Sequence, residues 1–468
     1  MSADTLSIPR GSIPKPTFWM VAAACISYGG YEFARAASTS LLITELGASY
    51  MPPALVAVAT TAYLMVTAYR SFLNKHGPRA ALLISSIGIA SFFLISVVLL
   101  AINPDVTTTT RKVLVFCTFV VRQAYVTFLS SQQFSFIVSL LKGHQNSLGP
   151  IYGCSSLASA IAAAGASAIS SPSLSFLIAS GSLLVSAGLA DIAYRKASSD
   201  IHLAHRLHSS NSSSTSYNRQ TNNTDKAFSS AASSSSSASS TATTATTTFT
   251  SFLQCSSCSR KLRLPLIFQE NQKLKLLLVV TFLMQCIGAL INLAYSQLLE
   301  TELPTQARRS EFVGRFYFVA NFMSALVQFL GLRILVQFLG LDMMMMIQPI
   351  LMCLVITLAT VHTSLWTTAL AMLSMKTLEY SIFSGIKDLT YLPLSFEARF
   401  IAKEYTDVFA YRCGKMVAAG LLTVVSLLVA EELDATRVLM LTIVVVLGWL
   451  YVAYQPLVRR VELKKEEI

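Results

Sequence analysis

Charge is what this chain lacks most: only 12% of its 468 residues are Asp, Glu, Lys or Arg, about half the share of an average soluble domain. That scarcity excludes a soluble enzyme and a disordered chain alike, because both need more charge than this sequence holds. Acids are scarcer than bases, 23 against 35. The eight cysteines are scattered, six of them in apolar runs, and imply no disulfide framework. Sequence motifs of soluble chemistry are missing too. There is no G-x-x-x-x-G-K-S/T loop, no H-E-x-x-H and no G-x-S-x-G, which excludes Walker-type nucleotide hydrolysis, zinc proteolysis and nucleophile-elbow hydrolysis. No cofactor and no metal is expected, and the chain is read as a non-enzyme. Cys255 and Cys258 do form a C-x-x-C behind His202, His205 and His208. Without a second close cysteine pair they read as ordinary loop residues.

What the chain has instead is apolar length. Hydrophobic residues make up 53% and the mean hydropathy is +0.58. A hydrocarbon layer is crossed by about 17 to 25 residues of helix, and runs of that size occur at 17–37, 52–69, 80–101, 113–138, 149–169, 174–194, 276–298, 312–331, 339–361, 364–383, 408–430 and 437–455. The expected fold class is an all-α polytopic membrane protein of about 12 transmembrane helices in two six-helix halves, major-facilitator-like, with a site between the halves near mid-membrane. The lipid bilayer is therefore its first partner. The net charge of +12 lies between the apolar runs, so it marks membrane orientation and not a nucleic-acid surface. With a cytoplasmic N-terminus, 24 lysines and arginines fall inside and five outside, as the positive-inside rule requires. Both termini are then cytoplasmic.

The domain reading follows. Residues 1–194 form the N-terminal half and 276–455 the C-terminal half, with a charged cytoplasmic tail at 456–468. Between the halves lies a basic cytoplasmic loop, 195–275, whose centre at 208–258 is almost wholly Ser, Thr, Asn and Ala. Such a composition cannot bury enough apolar surface to offset its ordering entropy, so it reads as a flexible tether. The first span runs on through Tyr28, Glu32 and Arg35 without a convincing cleavage site and is read as retained.

Ionisable residues inside spans carry the functional signal, because a charge at mid-bilayer costs about 2.5 to 3.5 kcal/mol. Tyr28, Tyr31, Glu32 and Arg35 share one face of the first span. The fourth carries Arg122, Gln123, Ser130, Ser131, Gln132 and Gln133, which should face the bundle interior. Asn292 and Gln297 lie in the seventh span, and Arg315, Asn321 and Gln328 in the eighth. Ser156, Ala160, Ala164 and Ala168, four apart, suggest a close-packing face on the fifth. The densest cluster starts at Lys376, Glu379 and Tyr380, passes an expected break at Gly385 to Lys387, Asp388 and Tyr391, and ends in Asp407, Tyr411, Arg412 and Lys415. Arg supplies a fork and Lys a point charge to phosphate oxygens, so Arg412 and Lys415 together suit a polyphosphate clamp.

In two blocks the sequence resembles the nucleotide transporters, the ATP/ADP translocases of plastids and obligate intracellular bacteria. From Glu379 through Lys387, Asp388, Tyr391, Pro393 and Leu394 it is similar to the pattern K-Y-S-L-F-D-P-x-K-E-M-A-Y-I-P-L, and from Lys403 through Asp407, Arg412 and Lys415 to K-x-x-x-D-V-x-x-x-R-x-G-K. Fainter echoes lie at Arg35 to Leu41 and at Asn292 to Tyr295. The resemblance implies a divergent member that exchanges ATP for ADP, or takes up related nucleotides with a coupling proton, by alternating access. In a bacterium its place is the inner (cell) membrane. The substrate-binding residues it marks are Arg35, Asn292, Tyr380, Lys387, Asp388, Tyr391, Asp407, Arg412 and Lys415. The chain departs from the pattern at Ser38 and Thr39, where Lys-Asp is expected, at Tyr295 in place of an acid, and at Glu379 in place of a lysine. Positive charge is lost at two of these sites, which favours a less charged nucleotide or another metabolite. The competing reading is a membrane scaffold paralogue that no longer transports.

Overall fold

The structure is a computed structural model that describes residues 15–102, 108–140, 148–169, 171–215, 271–391, 406, 410–429 and 434–466. Among these residues every long element is a helix, as the hydrocarbon layer demands: with no water to bond stray amides, the backbone must satisfy itself within each segment. In the first half lie α1 (Lys15–Leu46), α2 (Met51–Ile102), α3 (Thr108–Leu140), α4 (Leu148–Ser167) and α5 (Pro172–Thr215). The second holds α6 (Gln272–Glu302), α7 (Gln306–Leu326), α8 (Leu332–Val361), α9 (Leu365–Leu378), α10 (Ser384–Tyr391), α11 (Tyr411–Val429) and α12 (Ala435–Glu466). Single π turns, Val327–Gly331 and Glu379–Phe383, join α7 to α8 and α9 to α10.

Two of these helices bend at a glycine between consecutive spans. Helix α2 turns back at Gly77 (φ 80°) and α8 at Gly340 (φ 69°). Both bends separate the second and third spans of their half, and both need a left-handed backbone that only glycine adopts cheaply. Pro78 then opens the next arm with the φ of a helix start. Divided at these glycines, the rods coincide with the expected spans. Seven stretches are long and apolar enough to cross a membrane by length and composition: both arms of α2, then α5, α6, α7, the second arm of α8, and α12. Helix α9 is only 14 residues long, and α1, α3 and α11 carry charged or polar side chains that face inward, as described below.

Some expected boundaries shift. Helix α5 continues to Thr215 and α12 to Glu466, past the apolar limits at 194 and 455, since leaving the hydrocarbon ends an apolar run but not a helix. The remainder of the serine-rich loop, including Cys255 and Cys258, lies outside the described residues.

Packing joins the halves chiefly through α4 against α7, α2 against α11 and α1 against α7. Small residues permit the closest approaches. A Cβ on Gly314 would lie 2.7 Å from the Ser167 backbone, and one on Gly414 would lie 2.5 Å from the Phe282 carbonyl oxygen of α6. The expected small-residue face of the fifth span is corrected. Ala160 is buried but Ala164 and Ala168 are exposed, and the buried row is Ser155, Ser159, Ala163 and Ala166. Each four-residue step turns a helix by about 40°, so a strict i+4 row walks off its face within three steps.

Where α1, α6 and α7 meet, polar contacts join the two halves. The Ala48 amide donates to Glu300 Oε2 at 2.7 Å. Arg309 donates to Thr44 Oγ1 across the halves at 3.1 Å, and to the carbonyls of Leu303 and Glu300 at 2.6 and 3.1 Å.

Candidate functional site

Between the halves lies a cavity of about 300 Å³. Helix α1 lines it with Tyr28, Tyr31, Glu32 and Arg35, the complete face expected from their spacing. Helix α3 adds Arg122, Gln123, Ser130 and Phe134, and α4 adds Tyr152, Ser155, Ser156 and Ser159. Opposite stand Asn292 of α6, Tyr317 and Asn321 of α7, and Gln328 of the π turn that follows. Lys376, Glu379, Tyr380, Ser384 and Lys387 come from α9 and its continuation, and Tyr411, Arg412 and Lys415 from α11.

The two π turns build much of this wall. The chain is helical through Gly385, so the expected break there is not present; the irregularity comes one turn earlier, at Glu379–Phe383. A π turn widens the helix by one residue and misaligns its carbonyls, and such turns gather at functional sites. Here the Tyr380 carbonyl accepts 2.6 Å from Gln328 Nε2, itself on the other π turn. Gln328 Oε1 in turn accepts from Ser156 Oγ of the N-terminal half at 3.0 Å. One amide therefore ties both irregular turns to α4.

Six basic side chains and two carboxylates line the cavity. Two of the cations are neutralised locally. Arg35 sits 3.3 Å from Glu32, and its guanidinium is clamped between the rings of Tyr31 at 4.3 Å and Tyr317 at 3.9 Å, one from each half. Asn321 completes the pair by donating to Glu32 Oε1 at 3.0 Å. Lys376 lies 2.7 Å from Glu379, which also accepts from Gln285 Nε2 at 2.9 Å. Arg122 differs: its partners are neutral, Ser38 Oγ at 2.9 Å, Thr39 Oγ1 at 3.1 Å and Tyr31 Oη at 3.3 Å, with the Phe119 ring beneath it at 4.7 Å. Lys415 Nζ donates to Tyr411 Oη at 3.2 Å. Arg412 reaches across to α3 and donates to the carbonyls of Gln123 and Ala124 at 3.2 and 3.4 Å.

Of the nine residues marked in the sequence, Arg35, Asn292, Tyr380, Lys387, Arg412 and Lys415 come together in this one cavity. Tyr391 is buried at the end of α10 and is not among the lining residues. Asp388 lies on α10, with its side chain outside the described residues, and Asp407 is outside them altogether. Lining residues left out of the nine include Arg122, Lys376 and Glu379, whose signal was plain: each is a charge within a span. Gln328 was visible as a polar residue within a span, whereas Tyr317 and Tyr152 offered no signal, being common in membrane helices. The departures from the nucleotide-transporter pattern also find their places. Ser38 and Thr39 hold Arg122. Tyr295 is buried away from the cavity against Phe312 and Phe316.

Residues 355–459 match the family model of the TLC ATP/ADP transporter. The match takes in Lys376, Glu379, Lys387, Arg412 and Lys415, and both sequence blocks of the nucleotide-transporter resemblance fall inside it. Among curated proteins none matches this sequence. In three dimensions the chain is similar to the nucleoside transporter NupG, with TM-score 0.55 at 11% identity over 94% of this chain and 99% of that one. It is also similar to a bacterial homologue of the iron transporter ferroportin in an outward-facing state, with TM-score 0.55 at 12% identity over 94% and 99%. At such identities the likeness is one of fold. The architecture is that of a multi-pass, major-facilitator-like helical membrane protein.

Proposed function

We propose that this protein is a membrane transporter that carries a nucleotide by alternating access, in exchange for a second nucleotide or with a coupling proton. The observation that carries the reading is the excess of cations in the cavity, six basic side chains against two acidic ones. Buried cations are costly in a membrane and need either counterions or an anionic ligand. Among the described residues Arg122 and Lys415 bond only to neutral groups, which favours an anion reaching them from outside the protein. The match to the TLC ATP/ADP transporter model over residues 355–459 and the fold likeness to a nucleoside transporter support a nucleotide. A scaffold without transport would gain nothing from these charges. Within the nucleotides, Glu379 on Lys376 lowers the positive charge and favours fewer phosphates than a triphosphate carries.

The test is uptake of a radiolabelled series, nucleoside to triphosphate, into proteoliposomes. Saturable uptake of at least one nucleotide is expected, accelerated by preloaded nucleotide for exchange or by a proton gradient for symport. Arg412→Gln and Lys415→Gln should each weaken nucleotides more than the matching nucleoside, and together by less than the product of the two effects, because both address one anion. Unchanged uptake of every substrate by the Arg412 variant, in protein that inserts normally, overturns the site.

A further inference from the structure

The cations occupy one part of the cavity; the N-terminal half offers a different surface beside them. Phe134 of α3 and Tyr152 of α4 stack with ring centroids 4.5 Å apart and planes 21° from parallel. Tyr28 of α1 leans against Phe134 at 6.1 Å. All three line the cavity, and so do the hydroxyl-bearing residues Ser155 and Ser159 of α4. Ser155 spends its hydroxyl on the Ile151 carbonyl and on Cys25. Ser159, one turn further along α4, is only 4% exposed and lines the cavity as well. A hydroxyl that lines a cavity can donate to or accept from a ligand held there. Tyr28 and Arg35 stand seven residues apart on one helix face, about 10 Å along its axis. Along α1 the aromatic wall and Arg35 are thus separated by about two turns.

Resting on the nucleotide reading above, we propose that Tyr28, Phe134, Tyr152 and Ser159 form a subsite for the planar heterocyclic ring of the substrate, beside the cations that take its phosphate. A flat heterocycle extends an existing stack of rings with little selectivity among bases, since every base has a π face. Ser159 adds a hydroxyl that can donate or accept at the ring edge. Sequence-tolerant stacking with one adaptable hydroxyl describes a site that recognises the class of nucleobases more than one member. The orientation is also set: base toward the N-terminal half, phosphate toward α9 and α11.

Competition binding to purified full-length protein separates the two ends of the substrate. The probes are a nucleoside monophosphate, ribose 5-phosphate and pyrophosphate. The unaltered protein should bind the nucleotide at least about tenfold more tightly than ribose 5-phosphate, the size of one base-aromatic stack. Tyr152→Leu should weaken the nucleotide about tenfold more than the sugar phosphate. Ser159→Ala, which changes little volume and guards against misfolding, should narrow the same ratio several-fold, with an unchanged thermal transition. Equal weakening of nucleotide and sugar phosphate by both variants overturns the subsite. So does unaltered protein that binds pyrophosphate as tightly as nucleotide, although the anion site then stands. Binding of none of the three probes overturns the nucleotide reading and the subsite with it.

Discussion

Glu379→Gln is the most informative single change to this protein. It is close to isosteric, and its amide oxygen can still accept from Gln285, as Glu379 Oε1 now does at 2.9 Å. What it removes is one negative charge, 2.7 Å from Lys376. Two effects follow, and they act on different observables. The first is on stability: breaking a buried pair from one side costs about 3 to 5 kcal/mol. Lys376 retains the Tyr380 ring at 5.4 Å, which returns about 0.5 to 2 kcal/mol. The apo protein should therefore melt at lower temperature. The second effect is on anion binding. One added unit of positive charge, acting over about 8 Å with an effective dielectric constant of about 20, is worth about 2 kcal/mol for each negative charge on the ligand. Water in the cavity lowers that figure, and a gain of about tenfold per ligand charge is the working expectation.

The readout is thus a slope and not a single affinity. Binding of nucleoside, mono-, di- and triphosphate should be compared in the unaltered and variant proteins. The neutral nucleoside should change little and each added phosphate should gain more, so the preference shifts toward the triphosphate. Ligand-induced stabilisation should rise in step, because a ligand that binds only the folded protein stabilises it by its affinity. Equal changes for nucleoside and triphosphate would refute the reasoning. The Lys376 and Glu379 pair would then be structural and electrostatically remote from the substrate.

Gly414→Ala should impair binding without touching a charge. Its Cβ would meet the Phe282 carbonyl at 2.5 Å and Gln285 Cβ at 2.9 Å, so α11 must move off α6 and carry Arg412 and Lys415 with it. A loss of about 1 to 3 kcal/mol in stability is expected from such overpacking, read as a lower melting temperature in detergent together with reduced uptake; unchanged values for both would show that α11 is not fixed by this contact. Deleting residues 210–250 should leave insertion and uptake largely intact, since a polar tether carries little packing energy, and a reporter fused after residue 230 should read cytoplasmic. Lost uptake with normal insertion would mark the loop as functional, and an external reporter would invert the topology.

The sequence made the spans legible because each must hide its backbone from lipid, and a run of apolar side chains is the direct trace of that need. It also exposed most of the cavity, since charges such as Arg35, Lys376 and Arg412 have no other place in a membrane helix. Illegible were the features that depend on neighbours. Neither π turn has a sequence signature, so the irregularity was expected at Gly385, a residue the helix passes through undisturbed. The row from Ser156 to Ala168 was read at an even spacing of four, whereas the buried face follows the true helical period. Arg122 was visible as a charge, yet its link to Ser38 and Thr39 is a contact between α1 and α3 that no local pattern encodes.

That last contact bears on how the chain tolerates its departures from the nucleotide-transporter pattern. Where the pattern has lysine followed by aspartate, the chain has Ser38 and Thr39, and the guanidinium of Arg122 fills the space beside them. Where the pattern has lysine, the chain has Glu379, with Lys376 one helical turn before it. In each case a cation stands within a turn or a helix width of the lost one. The cavity keeps positive charge but distributes it differently, with Lys376 held by a carboxylate and Arg122 by neutral groups. The same economy governs the contacts that any rocking of the halves must break. Around the cavity these include Asn321 to Glu32, Ser156 to Gln328 and Arg412 to two α3 carbonyls; where α1, α6 and α7 meet they include Ala48 to Glu300 and Arg309 to Thr44. Each is worth about 0.5 to 1.5 kcal/mol net, somewhat more where an ion takes part. A handful of such bonds holds one conformation without locking it. Those around the cavity join the very side chains that line it, so an anion drawing Arg412 away from α3 would loosen the halves at the point where it binds.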